Sequence, residues 1–179
     1  ADGHHRCSAT ARYAEESARD ELDQQFFMGY CLPASQLNVF GYHRLLKHLN
    51  GFDVETFLEK AAKYFNIQQL EAERLPQKMG ELIFFAGNQW IALYPRPEII
   101  DTATYRTQLD VYLLDAYILQ PILGIDPDNT HNDVTFVEGT MRLEKLHQKV
   151  QENDAAGAFL LHPITVDFPM KLSDNGETL

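Results

Sequence analysis

The chain has 179 residues, 45% of them hydrophobic, which suits one medium-sized globular domain with a sizeable core and excludes a disordered polymer. Its 26 acidic against 15 basic side chains give a formal net charge of -11, which repels a phosphate backbone and weighs against nucleic acid as a general partner. Cys7 and Cys31, without Cys-x-x-Cys spacing, indicate neither a disulfide framework nor a cysteine zinc site, and a reducing cytoplasm is the default location. No apolar run reaches the roughly 18 residues that span a bilayer, so no membrane partner is expected.

The first element is an alanine-rich helix in which Ala11, Ala14 and Ala18 recur at helical spacing, introduced by Asp2-Gly3-His4-His5-Arg6. The spacing predicts a loop from Gly3 to Arg6 and a helix that begins by about Cys7. Such a junction suits an anion. The first backbone N–H groups of a helix have no intrahelical partner, the macrodipole is positive there, and a glycine lets phosphate approach the main chain. Arg6 adds a fork of donors matched to phosphate oxygens, and Ser8 and Thr10 add hydroxyls. Asp2 is either an N-cap or a ligand for the metal that accompanies a phosphate. Solvated histidines at a loop tip, with Arg6 paired to Glu15, are the plainer reading of the same residues.

Downstream, Phe26, Met28, Tyr30 and Leu32 alternate at the period of a strand, Pro33-Ala34-Ser35 reads as a turn, and Leu37, Val39 and Phe40 suggest a second strand. Tyr42-His43-Arg44 at that strand's end forms a second candidate patch, His43 with Arg44, although strand-end capping is the more economical role. From an Asp53 cap, Val54, Phe57, Leu58, Ala61, Ala62 and Phe65 predict a helix. A hairpin follows, Leu82–Phe85 and Trp90–Tyr94 joined at Gly87-Asn88 and ended by Pro95 and Pro97. Val111, Leu114, Ile118 and Ile122 share a helical face that closes at Pro121 and Gly124. Asp110 is read as a helix-start residue, too far from Asp115 in helical phase to form an acid/base pair. Val134–Val137 is a short strand, Leu143, Leu146 and Val150 face inward from a helix capped near Thr140, and Ala158–Leu161 is a last strand. His131, His147 and His162 are scattered, with His147 expected on a solvated helix face, so no histidine metal site is indicated. The order of elements predicts one α+β domain over residues 1–179, with a mixed, largely antiparallel sheet and three to four packed helices.

Asp2-Gly3-His4-His5-Arg6 with Thr10-Ala11 and Tyr13 resembles the opening motif of the domain of unknown function 1015 family. The similarity continues through Phe27–Leu37, His43–Lys47, Leu49-Asn50-Gly51, Leu109-Asp110-Val111, Ile118–Ile125, Gly157-Ala158-Phe159, His162-Pro163 and Asp174–Glu177. Members of that family carry a longer amino-terminal section, so the resemblance implies that this chain is the carboxy-terminal part of a longer protein. Gly3-His4-His5-Arg6 with Ala9 is also similar to the Gly-x-x-Arg-x-x-Ala phosphate motif of the ParB and sulfiredoxin superfamily, which includes free-serine kinases. Sulfiredoxin chemistry is not implied, because cysteine would be needed where His4 stands.

The resemblance implies a phosphate- or nucleotide-binding enzyme that moves a phosphoryl group to or from a small hydroxyl metabolite. Asp2, His4 and His5 are its candidate catalytic groups, and Gly3, His5, Arg6, Ser8 and Thr10 its phosphate contacts. The expected cofactor is ATP or ADP with Mg²⁺, with nothing in the sequence to indicate zinc or haem. The expected partners are a phosphorylated small molecule and a second copy of the chain. A non-catalytic module that senses phosphate or nucleotide is the alternative.

Overall fold

The computed structural model describes residues 4–16, 26, 28–101, 104–126, 129–152 and 154–176. The chain forms two compact units, Ala1–Asn38 and Val39–Leu179.

In the first unit, helix α1 spans His4–Glu16. It begins three residues earlier than the sequence predicts, because nothing after Gly3 breaks a helix and Thr10 bonds back to the Arg6 carbonyl. Ala11 is exposed and Ala14 half-buried, while Ala18 lies outside the described residues. The strand expected at Phe26–Leu32 is absent: residues 28–33 are irregular, and Met28 and Tyr30 are 98% and 87% exposed. No strand among the described residues pairs with them, and alternation alone cannot satisfy an extended backbone. Pro33 introduces a 3₁₀ turn, Ala34–Gln36, as the turn signal predicts.

The second unit is an α+β structure built on six strands. They are β1 (Tyr42–Leu46), β2 (Phe65–Leu70), β3 (Leu82–Ala86), β4 (Gln89–Pro95), β5 (Val134–Glu138) and β6 (Gly157–Leu160), in the order β2-β4-β3-β6-β1-β5. Every pairing is antiparallel. The second strand expected at Leu37–Phe40 does not form there, and ordered pairing starts at Tyr42.

Both faces of the sheet are covered, and side-chain alternation sorts the core accordingly. Leu46, Leu82, Phe84, Leu93 and Phe159 pack with Phe57 and Ala61 of helix α2 (Val54–Ala61) and with Leu114 and Ile118. Those last two belong to helix α3 (Asp110–Leu114) and its π-helical continuation, Asp115–Leu119. On the other face, Leu45, Ile83, Phe85, Trp90 and Ala158 pack against Leu146 and Val150 of helix α4 (Leu143–Gln151). Strand β3 is buried at every position, which is why it reads as an unbroken apolar run. The Phe84 ring lies tilted against Phe57, 4.8 Å between centres, and against Phe159 at 4.7 Å, and each such ring contributes about 2–3 kcal/mol through burial. Helix α5 (Asp167–Asp174), which the periodicity does not predict, buries Phe168 and Leu172 beside Leu109.

The Asp53 cap is present, with its carboxylate accepting the Thr56 N–H at 2.8 Å, but α2 stops at Ala61 and Phe65 opens β2 instead of extending the helix. Gly87 supplies the positive φ of the predicted hairpin turn. Val111 is exposed, since the buried face of the α3 region runs through Leu113, Leu114, Ile118 and Leu119. Helix α4 has Arg142 at its N-cap with no side-chain cap bond, rather than the expected threonine cap. His147 is half-buried, not solvated, because its ring meets the edge of Phe85 at 4.7 Å.

Candidate functional site

The sequence-predicted anion site falls on the start of α1. His4, His5 and Arg6 are already helical, so their N–H groups belong to the first turn, the turn without intrahelical acceptors. That turn carries no acidic side chain, which leaves the positive end of the macrodipole uncompensated from within the helix. Arg6 and Ser8 are exposed. The Thr10 hydroxyl donates to the Arg6 carbonyl at 2.9 Å and is thereby tied into the helix. An ion pair on this helix joins Arg12 to Glu16 at 3.4 Å, on the exposed side chains of the next turns. Asp2 and Gly3, and the side chains of His4 and His5, lie outside the described residues.

The second candidate patch is not one patch. Adjacent strand residues point to opposite faces, and His43 and Arg44 are 2% and 7% exposed on β1. Arg44 lies with its Cζ 4.2 Å from the centre of the Phe136 ring, donates to the Tyr42 carbonyl at 2.8 Å, and has its pKa lowered by burial against the opposing pull of Asp115. Asp115, in turn, is raised to about 6 by burial, with the Arg44 charge working against that rise.

His43 belongs to a different constellation, at the end of the sheet where β1 begins and β6 ends. The register that sets Tyr42 opposite Glu138, Ile83 opposite Leu160 and Leu82 opposite Leu93 brings Gly41, Gly139, Leu161, His162, Glu81 and Tyr94 to that same end. Asp110, at the start of α3, does not cap its own helix. Its buried carboxylate accepts the N–H groups of Gly80 at 2.6 Å and His162 at 3.0 Å, stitching α3 to the sheet end. Burial raises this carboxyl to about 6 even though both N–H groups favour its charged form.

Beside it, the buried Glu81 accepts from Arg74 at 2.5 Å, from the Tyr94 hydroxyl at 2.8 Å and from the Gln77 N–H. Burial pushes Glu81 up, but Arg74 and the other donors outweigh it and hold the carboxyl down at about 2.

The His43 ring takes the Leu161 N–H on Nδ1 at 3.3 Å. Burial, helped by the neighbouring Arg44 charge, lowers its pKa to about 4, so the imidazole is neutral at pH 7. An Nδ1 that accepts leaves the proton on Nε2. That Nε2 and Nδ1 of His162 are buried atoms with no hydrogen-bond partner among the described residues. Both histidines line a pocket of about 210 Å³ walled by Phe40, Leu75, Pro76 and Pro163.

Sequence reasoning singled out His43 but missed this constellation, because its members come from six separate stretches with no common spacing. Only the close glycines carried a local signal. A Cβ at Gly41 would collide with the Leu161 carbonyl, and one at Gly139 with the backbone of Gly41. Among the described residues no group of three or more histidine, cysteine or carboxylate side chains could hold a metal, and no helix is long and apolar enough to cross a membrane.

No curated protein and no solved structure matches the chain. A family model described as protein of unknown function (DUF1015) does match, over residues 1–112. That range takes in the α1 motif, His43, Glu81 and Asp110, and leaves the later segments that resemble the family outside it. With well over half its length inside the match, the chain belongs to the DUF1015 family.

Proposed function

We propose that the chain binds a phosphorylated small molecule or nucleotide at the start of α1 and serves phosphoryl transfer to or from a small hydroxyl metabolite. The supporting observation is the composition of the first helical turn: His4, His5 and Arg6 begin the helix, no carboxylate accompanies them, and Arg6 is exposed. Phosphoryl transfer proceeds chiefly by positioning and charge neutralisation, which free N–H groups, a guanidinium and a Mg²⁺ carried on the phosphates would supply. In this reading Asp2 is the protein ligand of that Mg²⁺, Gly3 leaves room for the phosphate, Ser8 and Thr10 flank it, and His4 or His5 moves the proton. The same first-turn groups also suit a second reading, a non-catalytic module that senses phosphate or nucleotide.

Calorimetric titration with ATP, ADP and inorganic phosphate tests the site. Arg6→Lys is expected to weaken binding by roughly 1.5–3 kcal/mol through loss of the bidentate fork, with folding unchanged. Equal affinity of Arg6→Lys and the parent removes Arg6 from the site. Incubation with ATP, Mg²⁺ and serine then separates the readings, since phosphoserine forms only if the chain is an enzyme of the proposed kind.

A further inference from the structure

Strand β5 closes one side of the sheet, with β1 as its neighbour and no strand beyond it among the described residues. The Lys47 N–H donates to the Asp133 carbonyl at 2.9 Å, one position beyond the register that sets Leu46 opposite Val134. Antiparallel bonding alternates, so Thr135 and Val137 turn their backbone groups toward β1, while Val134, Phe136 and Glu138 turn theirs outward. The Leu46 carbonyl fits this phase, since it accepts the Ala156 N–H on the side away from β5. Of the outward groups, the Val134 N–H is taken by the Thr130 carbonyl, and the Glu138 carbonyl by the Met141 N–H. The Val134 carbonyl, both groups of Phe136 and the Glu138 N–H have no partner among the described residues and form a row along the open edge. A groove of about 710 Å³ follows that edge, lined by Thr135 to Glu138 and by Arg142, Lys145 and Lys149 of α4 and its N-cap. None of these three cations is in an ion pair among the described residues, in a chain whose net charge is -11. Glu138 is the one carboxylate lining the groove, and strand alternation puts it on the Phe136 face, whereas Val137 shares the other face with Leu146 and Val150 of α4.

We propose that β5 takes up an acidic, extended segment of a partner protein as a further antiparallel strand, with the segment's alternate carboxylates against Arg142, Lys145 and Lys149. Main-chain bonds to an open sheet edge supply affinity, and the alternate side chains supply specificity. The antiparallel sense follows the rest of the sheet, in which every pairing is antiparallel. In that sense the segment residues that bond to β5 lie on the Phe136 face, and their neighbours turn toward α4 with N–H groups pointing away from the edge. Carboxylates therefore belong on the α4 side, clear of Glu138, and β-branched side chains belong beside the Phe136 ring, which is 43% exposed. A second copy joined through its own β5 would bring two sets of the same three cations to one seam, where they repel. Nucleic acid has no strand backbone to complete the open row. The site is independent of the phosphate reading of α1.

Fluorescence anisotropy with the whole chain and a labelled heptapeptide of alternating glutamate and valine provides the test, together with amide hydrogen exchange at Phe136 and Glu138. The expected result is saturable binding that protects those two amides. A peptide with glutamine in place of glutamate should bind about tenfold more weakly, and one N-methylated at its valines, the residues that bond to β5, should not bind. The double variant Arg142→Gln, Lys145→Gln changes two exposed positions and should weaken the glutamate peptide by about tenfold with the unfolding temperature unchanged. Failure of the glutamate peptide to bind, equal affinity for the glutamine or N-methylated peptide, or unchanged affinity in the folded double variant would each overturn the proposal. So would protection of the Phe136 and Glu138 amides that grows with chain concentration in the absence of peptide, which would give the edge to a second copy.

Discussion

Gly139 packs directly on the backbone of Gly41, so closely that a Cβ on Gly139 would lie within contact distance of the Gly41 nitrogen and carbonyl oxygen. The contact holds the turn after β5 against the entry to β1. Gly139→Ala is therefore expected to cost about 1–3 kcal/mol, the usual range for forced overpacking, and Gly41→Ala a similar amount because its Cβ would strike the Leu161 carbonyl. Gly29→Ala, with nothing within 4 Å, should be near neutral. Urea unfolding of the three variants checks the ranking, and equal stabilities would contradict it.

Asp110 should give the chain an unusual dependence on pH. Burial lifts its carboxyl from 3.8 to about 6, so the folded chain holds that proton more tightly than the unfolded chain in between. Its contribution to stability is complete below the lower value and is lost as pH rises through the upper one. His43 acts in the opposite sense: lowered from 6.5 to about 4, it favours the folded state above 6.5 and ceases to as pH falls through 4. Comparison with Asp110→Asn isolates the first effect. The amide sets a donor against the Gly80 or His162 N–H, and the variant is expected to be about 1–3 kcal/mol less stable than the parent near neutrality. That gap should widen as pH falls from 6 toward 4, which denaturant curves at several pH values would register.

Glu81 governs the acid limb. Its folded pKa of about 2 lies below the ordinary 4.5, so its contribution is present above 4.5 and is lost as pH falls through 2. Glu81→Gln keeps the shape but removes the charge that the Arg74, Tyr94 and Gln77 donors converge on. The variant should lose about 2–3 kcal/mol at pH 7 and show a flatter stability profile between pH 4.5 and 2. Thermal unfolding across that range measures both, and a profile as steep as the parent's would show that another carboxylate controls acid unfolding.

Elements defined within a few residues of sequence were legible. The Asp53 cap, the amphipathic face from Val54 to Ala61, the Gly87 turn and the β3 run of Leu82 to Ala86 follow from local propensity, capping and side-chain period. Where local signals misled, a missing or unexpected partner was the cause. Phe26 to Leu32 alternate as a strand would, yet no neighbouring strand among the described residues pairs with them. Strand β2 went unread because its exposed Asn66, Gln68 and Gln69 hide a pairing with β4 that supplies the actual stabilisation.

The sequence by itself determined the α+β class, the positions of most strands, and the existence of a first helix though not its start, because each depends on residues near one another along the chain. The sheet-end pocket was decided by tertiary structure alone. His43 meets the Leu161 N–H across 118 residues, and Asp110 meets the His162 N–H across 52. Neither periodicity nor motif spacing encodes such distances. They arise from antiparallel registers that bring strand ends together, and burial at that junction then raises the Asp110 carboxyl and lowers the His43 ring.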